Sequence, residues 1–260
     1  LQTLYRLRHD ESGVLLVPAA TAIQQLPPVD YLDSQSLILE TGDRFDIETM
    51  RERFTLSGYQ CVSEVFEHGE FAVRGSLVDL FPMGSERPYR IDLFDDEVES
   101  IRLFDPETQR TIERVNLIRL LPAREFPINE ASVSQFRKQF RTRFEGDPKR
   151  SVIYRDISEK VIPNGIEYYL PLFYETELAS LFDYLPKNTT LVRYDGTLDA
   201  VRQSWKEVLH RFEQLRHDIE RPLVEPDALF LSEQSIVSKC KDYQLLDLSC
   251  EELAGDKAIN

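Results

Sequence analysis

Residues 69–106 alternate apolar and polar side chains with a period of two, in short runs separated by turn residues. The runs cover 71–81, 89–94 and 98–104, and Pro82-Met83-Gly84-Ser85 and Asp95-Asp96 break them. Strand side chains point alternately to opposite faces, so such runs, punctuated by Gly, Pro and Asp, predict an antiparallel meander. Three adjacent strands of this kind commit the centre of the chain to β structure with one apolar and one polar face.

The run 89–94 can be read face by face. Tyr89, Ile91 and Leu93 fall on one side and read as core, while Arg90, Asp92 and Phe94 fall on the other. A large aromatic on the polar side of a strand is unusual for folding alone. It either covers the sheet beneath another element or anchors a partner, and arginine beside phenylalanine is a pairing enriched at binding hot spots. Arg74 lies on the neighbouring run with Ala72 and Ser76 on its own side. If the faces of the two runs coincide, these residues form a basic and aromatic surface on a sheet. The other reading of the same pattern is an edge strand with a solvated arginine and a phenylalanine tucked under a loop.

Along the chain, GVLLV at residues 13–17 reads as a buried strand leading into a short helix over 21–26, which Pro27-Pro28 end. New β structure starts at Ser36. Asp46 reads as a helix N-cap, with Ile47, Met50 and Phe54 on one face and Gly58 as the stop. Residues 111–121 continue the sheet or return toward the first domain, and 122–127 read as a hinge. After it, Asn129 caps a helix carrying Val133, Phe136, Phe140 and Phe144. A second helical pattern follows over 151–161. Residues 190–194 read as a strand, and Thr197 caps a long helix with Leu198, Val201, Trp205, Val208, Phe212 and Leu215 at helical spacing. A strand at 228–231, a helix at 233–240 and a strand at 243–248 complete a pattern of alternating strands and helices, which points to a parallel α/β unit. The fold class is therefore α/β, interrupted by an inserted small α+β domain with an antiparallel sheet.

Composition narrows the function. A formal charge of −15 opposes general nucleic-acid binding, which needs cations to displace phosphate counterions, and suits a module that meets another protein. Between residues 1 and 121 there is no lysine, and Arg74 and Arg90 belong to this all-arginine stretch. The planar arginine fork loses hydration readily and suits interfaces, although lineage bias in codon use gives the same pattern. Cys61, Cys240 and Cys250 are far apart, which implies reduced thiols, a cytoplasmic setting and no zinc spacing. The chain opens mid-pattern on Leu1, as a fragment would. No phosphate-cradling G-x-x-x-x-G-K-[ST] is present. Asp95, Asp96 and Glu97 are the densest acidic cluster, but adjacent strand positions point apart and Asp-Asp is ordinary hairpin chemistry. His210, Glu213 and His217 share a helical face that reads as solvated rather than metal-binding. No catalytic residue, cofactor or metal is expected.

The blocks FAVRGSLVDLFP, YRIDLFDDEVESIRLFDPET and LLPAREFP (the last at 120–127) resemble the UvrB-homology region of the bacterial transcription-repair coupling factor (Mfd) family. The resemblance implies a degenerate, helicase-lobe-like Rossmann-type domain without a working nucleotide site. Its first half would end at residues 1–34, a UvrA-binding domain would be inserted at 35–121, and its second half would occupy 122–260. It implies recruitment of UvrA to stalled RNA polymerase, with contacts at the positions of Arg74, Arg90 and Phe94. It also implies that a full-length parent is an ATP-dependent translocase meeting RNA polymerase and double-stranded DNA through other domains. Two other classes stay open: half of an NTPase lobe, and an internal scaffold that masks motor domains.

Overall fold

The computed structural model describes residues 1–9 and 12–249. The chain begins with helix α1 (Gln2–His9), a single turn α2 (Ala19–Ala22), strand β1 (Gln25–Leu26) and helix α3 (Val29–Gln35). Strand β2 (Leu37–Glu40), helix α4 (Ile47–Leu56) and strands β3 (Gln60–Cys61), β4 (Glu70–Arg74), β5 (Leu77–Leu80), β6 (Tyr89–Phe94), β7 (Glu97–Phe104), β8 (Thr111–Val115) and β9 (Leu117–Leu120) follow. Helices α5 (Glu130–Arg143) and α6 (Val152–Ser158) come next, then β10 (Ala179–Ser180), α7 (Leu181–Tyr184), β11 (Thr190–Tyr194), α8 (Thr197–Leu215), α9 (Glu233–Cys240) and β12 (Gln244–Leu248). The class is mixed α/β with antiparallel sheets, as the alternation predicts.

The alternating centre forms a six-stranded sheet in the order β3-β4-β5-β6-β7-β8. β3 runs parallel to β4 and every other neighbouring pair is antiparallel. The sequence run 71–81 is two strands rather than one. It folds back at Gly75-Ser76, where Gly75 has φ +63°, a left-handed value that lets a two-residue turn follow the twist of the strands. Ser76 therefore sits in the turn and not beside Arg74. Asp95-Asp96 makes the β6–β7 turn, with Asp95 at φ +55°, a conformation aspartate tolerates better than most residues. A bulge between Asp92 and Leu93 shifts the β6–β7 register near that turn.

The apolar face packs as read from the sequence. Phe71, Val78, Leu80, Ile91, Leu93, Val98 and Ile101 are buried against Phe45, Phe54 and Tyr59. Leu39 of β2 and Ile118 and Leu120 of β9 close the same core, β2 and β9 forming their own antiparallel pair. Each such side chain contributes about 1.5–3 kcal/mol on leaving water. α4 covers this face. It starts where the Asp46 carboxylate accepts the Thr49 N–H at 2.8 Å and stops at Gly58. Residue 58 has φ +93°, and a Cβ there would lie 2.8 Å from the Arg124 side chain, so only glycine fits. The opposite sheet face carries a smaller cluster of Ala72, Phe81 and Phe104 under Val65.

A second core is built on phenylalanines. Asn129 and Ser132 form a reciprocal capping box at the start of α5. Phe136 and Phe140 then pack with Phe126, Phe173, Ile153 and Tyr154. Further on, β11 and β12 form a parallel pair, and Val201 of α8 and Ile236 and Cys240 of α9 are buried together with Leu231 and Ile23.

Several expectations are corrected. Residues 13–17 form no strand, and Val14 and Leu16 are exposed; a continuous apolar run needs a partner strand to become one, and no described residue pairs with it. At 228–231 there is only a 3-10 turn and one bridge, Gln24 to Phe230. The N-cap of α8 is Gly196 rather than Thr197, and of its expected core face only Val201 is fully buried, while Trp205 is half-buried. Residues 122–127 are strapped down instead of hinged. The hydroxyls of Tyr59, Tyr31 and Tyr174 donate to the carbonyls of Leu121 (2.6 Å), Arg124 (3.1 Å) and Glu125 (2.6 Å). Cys61 is exposed and Cys240 buried, while Cys250 lies outside the described residues.

Candidate protein-interaction surface

The polar face of the sheet is organised by strand register. One row across β4 to β8 reads Ala72, Asp79, Arg90, Arg102, Arg114. The next reads Arg74, Leu77, Asp92, Ser100. Like charges directly opposite one another on neighbouring strands repel, so Arg90 and Arg102 need carboxylates interleaved with them. Asp79 and Asp92 supply them.

Asp79 is the centre of the patch. It is 1% exposed, beside the small Ala72, and its carboxylate takes a two-pronged grip from Arg90, Nε to Oδ1 at 2.7 Å and Nη2 to Oδ2 at 2.9 Å. Arg74 Nη2 donates to the same Oδ2. A buried carboxylate is tolerated only when its charge and lone pairs are met, and two guanidiniums meet them here. Arg90 is held on its other sides as well. Its Nη1 donates to the Gln109 carbonyl at 3.1 Å, and its guanidinium carbon stands 4.6 Å from the centre of the Phe104 ring. The hydrogen bond to Asp79 raises the Arg90 pKa further above its ordinary range. Gln109, at φ +59°, ties the 105–110 loop to Val65 by donating from Nε2 to the Val65 carbonyl at 3.1 Å. Arg102 pairs with Asp92.

The three residues singled out from sequence meet different fates. Phe94 ends β6 with 71% of its surface exposed and no buried cluster around it, so it is not tucked under a loop. The Arg74 side chain is 40% exposed and holds Asp79 with one nitrogen, leaving its other donors open. The Arg90 side chain is only 15% exposed and is largely consumed inside the sheet. The sequence reads Arg74 and Arg90 alike, as parts of one basic surface; the structure separates them, because Arg90 is held inside the sheet and Arg74 is not. At ~3.4 Å per residue along a strand and ~4.8 Å between strands, Phe94 lies on the order of 12 Å from Arg74.

Asp79, Arg102 and Gln109 were missed in the sequence, and Asp92 was placed on the polar side without a role. A signal for Asp79 was present: a lone carboxylate in the apolar string LVDLF must meet a cation on its own face. The cluster at 95–97 is a turn, where Asp96 lies 4.0 Å from Arg44. Among the described residues, no group of three or more His, Cys, Asp or Glu is placed to hold a metal ion. His210 contacts Gln214 and Glu213 pairs with Arg216 on the exposed side of α8. No described helix is long and apolar enough to cross a membrane.

The region that holds this sheet has recognisable relatives. Residues 37–126, which contain the whole six-stranded sheet, match the family described as UvrB interaction domain. The full 260 residues are 42% identical to the transcription-repair-coupling factor of Escherichia coli (strain K12), covering 23% of that protein. The chain is homologous to the transcription-repair-coupling factors. The Haemophilus influenzae protein of that name is 41% identical over 97% of this chain and 22% of its own length. That of Bacillus subtilis (strain 168) is 29% identical over 89% of this chain and 19% of its own. The chain thus spans less than a quarter of the length of these curated relatives. Arg74, Asp79, Arg90 and Phe94 all fall within the UvrB interaction domain match.

Proposed function

We propose that this chain is the UvrA-recruiting part of a transcription-repair coupling factor, with the polar face of the six-stranded sheet as the contact surface. The observation that carries the reading is Phe94, a bare aromatic side chain on the polar face of the UvrB interaction domain match, with Arg74 on the same face about 12 Å away. An exposed aromatic sharing a face with arginine is the composition of a binding hot spot, and the family resemblance implies UvrA as the partner. In the parent protein, contacts to RNA polymerase and double-stranded DNA would belong to domains outside these residues. The insert at 35–121 would present the surface, and the flanking 1–34 and 122–260 would form a degenerate helicase-type lobe that carries it without turning over nucleotide. The absence of a phosphate-cradling loop from the sequence supports that last point.

Titration of UvrA into the chain, wild type beside Phe94→Ala, tests the reading. Loss of the anchor should weaken binding by about 2 kcal/mol, roughly thirtyfold in Kd. Stability should change by no more than about 0.5 kcal/mol, since the side chain covers no core. Unchanged affinity in Phe94→Ala, or no binding by the wild type, overturns it. Steady ATP turnover abolished by a point substitution within this chain would favour the NTPase reading instead.

A further inference from the structure

Arg74 and Arg90 share one carboxylate, and that sharing divides their labour. Arg90 has its Nε and one Nη2 hydrogen on Asp79 and its Nη1 on the Gln109 carbonyl, with its face against Phe104. Few of its donors remain to be offered outward, and its charge is offset at contact distance by a carboxylate that is itself 1% exposed. Among the described residues Arg74 touches Asp79 through Nη2, and its Nε and Nη1 are directed at no partner. Without Asp79 the Arg74 side chain, at the last position of β4 beside the Gly75-Ser76 turn, would sample its rotamers freely, and ordering it on binding would cost affinity.

We propose that Asp79 is a positioning residue for the contact surface: it holds Arg74 in an extended, half-presented pose, and Arg90 acts through Asp79 rather than on the partner. This rests on the UvrA reading above. It deepens that reading by specifying the partner's chemistry. The complementary surface offers one carboxylate to Arg74 and one apolar socket to Phe94, about 12 Å apart. It does not offer a second carboxylate to Arg90, because that position is already filled from within. Arg102 and Asp92 cancel one another in the same way on the side nearer Phe94.

The experiment has two arms. In the first, 15N relaxation of arginine side-chain Nε–Hε groups is recorded on the wild-type chain, with no partner and no substitution. Arg74 and Arg90 should both be ordered, well above the exposed Arg44, which has only a long contact to Asp96. An Arg74 as mobile as Arg44 overturns the proposal. In the second, UvrA is titrated into wild type, Asp79→Asn, Arg74→Ala and the double variant, below the melting transition of each. Asp79→Asn keeps the shape but loses the charge and half of the acceptor capacity. It should raise Kd about tenfold in the wild-type background and hardly at all in the Arg74→Ala background, because its effect passes through Arg74. Equal losses in the two backgrounds mean that Asp79 serves the fold alone, and overturn the proposal. If Asp79→Asn does not fold, Arg74→Lys replaces it. Keeping the cation but losing the fork should recover less than half of the binding free energy lost in Arg74→Ala, and full recovery overturns the proposal. A wild type that fails to bind UvrA removes the recruitment reading along with it, whereas a wild type that binds with additive losses removes this proposal alone.

Discussion

The six-stranded, mostly antiparallel sheet and the parallel pair β11–β12 both leave side chains in water, but not of the same kind. On the sheet, the exposed side of β4–β7 is a lattice of charged groups already paired among themselves, with Phe94 standing alone at one end. On the parallel pair, Val192, Tyr194, Leu246 and Leu248 lie in register on one side and are all exposed, while Leu191 on the other side packs toward α8 and α9. An antiparallel sheet tolerates one solvated face, whereas parallel strands normally have both faces covered. The contrast teaches how to weigh an exposed apolar residue. In a row of like residues on a parallel pair it reads as the face of a layer. Alone among charges paired with one another, it reads as a contact.

The largest effect expected from this comparison separates covered from bare positions. Ile91→Ala, at a fully buried site in the sheet, should cost about 3 kcal/mol or more in urea unfolding. Leu246→Ala on the parallel pair should change stability by no more than about 0.5 kcal/mol. Equal losses would break the distinction.

Next comes the ion-pair lattice. Arg90→Ala leaves Asp79 buried with Arg74 as its one remaining cation, and should destabilise by about 3 kcal/mol. A loss as small as that of Phe94→Ala would mean that Arg90 is an ordinary surface residue. Asn129→Ala, which opens the capping box of α5 outside the sheet, should cost about 1 kcal/mol. Because it touches no part of the contact surface, its UvrA affinity should match the wild type.

The smallest effect concerns the crossing between the two regions. Burial raises the Glu125 pKa above the usual carboxylate range. The folded state therefore binds more protons than the unfolded chain between the ordinary and the raised value. Stability contributed by this group is present at acid pH and declines as pH rises through that window. Melting temperatures across a pH series should show Glu125→Gln gaining on the wild type toward neutrality and converging with it in acid. A difference that grows in acid would contradict the assignment.

Much of the central region was legible in the chain. The two-residue period set which side of β6 is core, Asp46 and Asn129 marked the starts of α4 and α5, and Asp95-Asp96 marked a hairpin turn. These are local instructions, written in side-chain spacing and in capping chemistry that acts within one turn. Phe94 was legible for the same reason, since alternation alone puts it opposite Ile91 and Leu93.

The apolar string GVLLV shows where this reasoning ends. Hydrophobicity states that a segment would be stable if covered, but not what covers it, and here Val14 and Leu16 are left exposed. The crossing at 122–127 failed for a related reason: the tyrosines that strap it lie up to 93 residues away in sequence.

By itself, then, the sequence determined the central strands and which side of β6 is core, and so put Arg90 and Phe94 together on the other side; that Arg74 shares this face follows from the register of β4, β5 and β6. Only the tertiary structure decided that these three are not equivalent. Local alternation fixes direction within a strand. The pairing of β4, β5 and β6 brings Asp79 between the two arginines, and that buried charge, set by register across three strands, takes Arg90 inward and leaves Arg74 and Phe94 facing solvent.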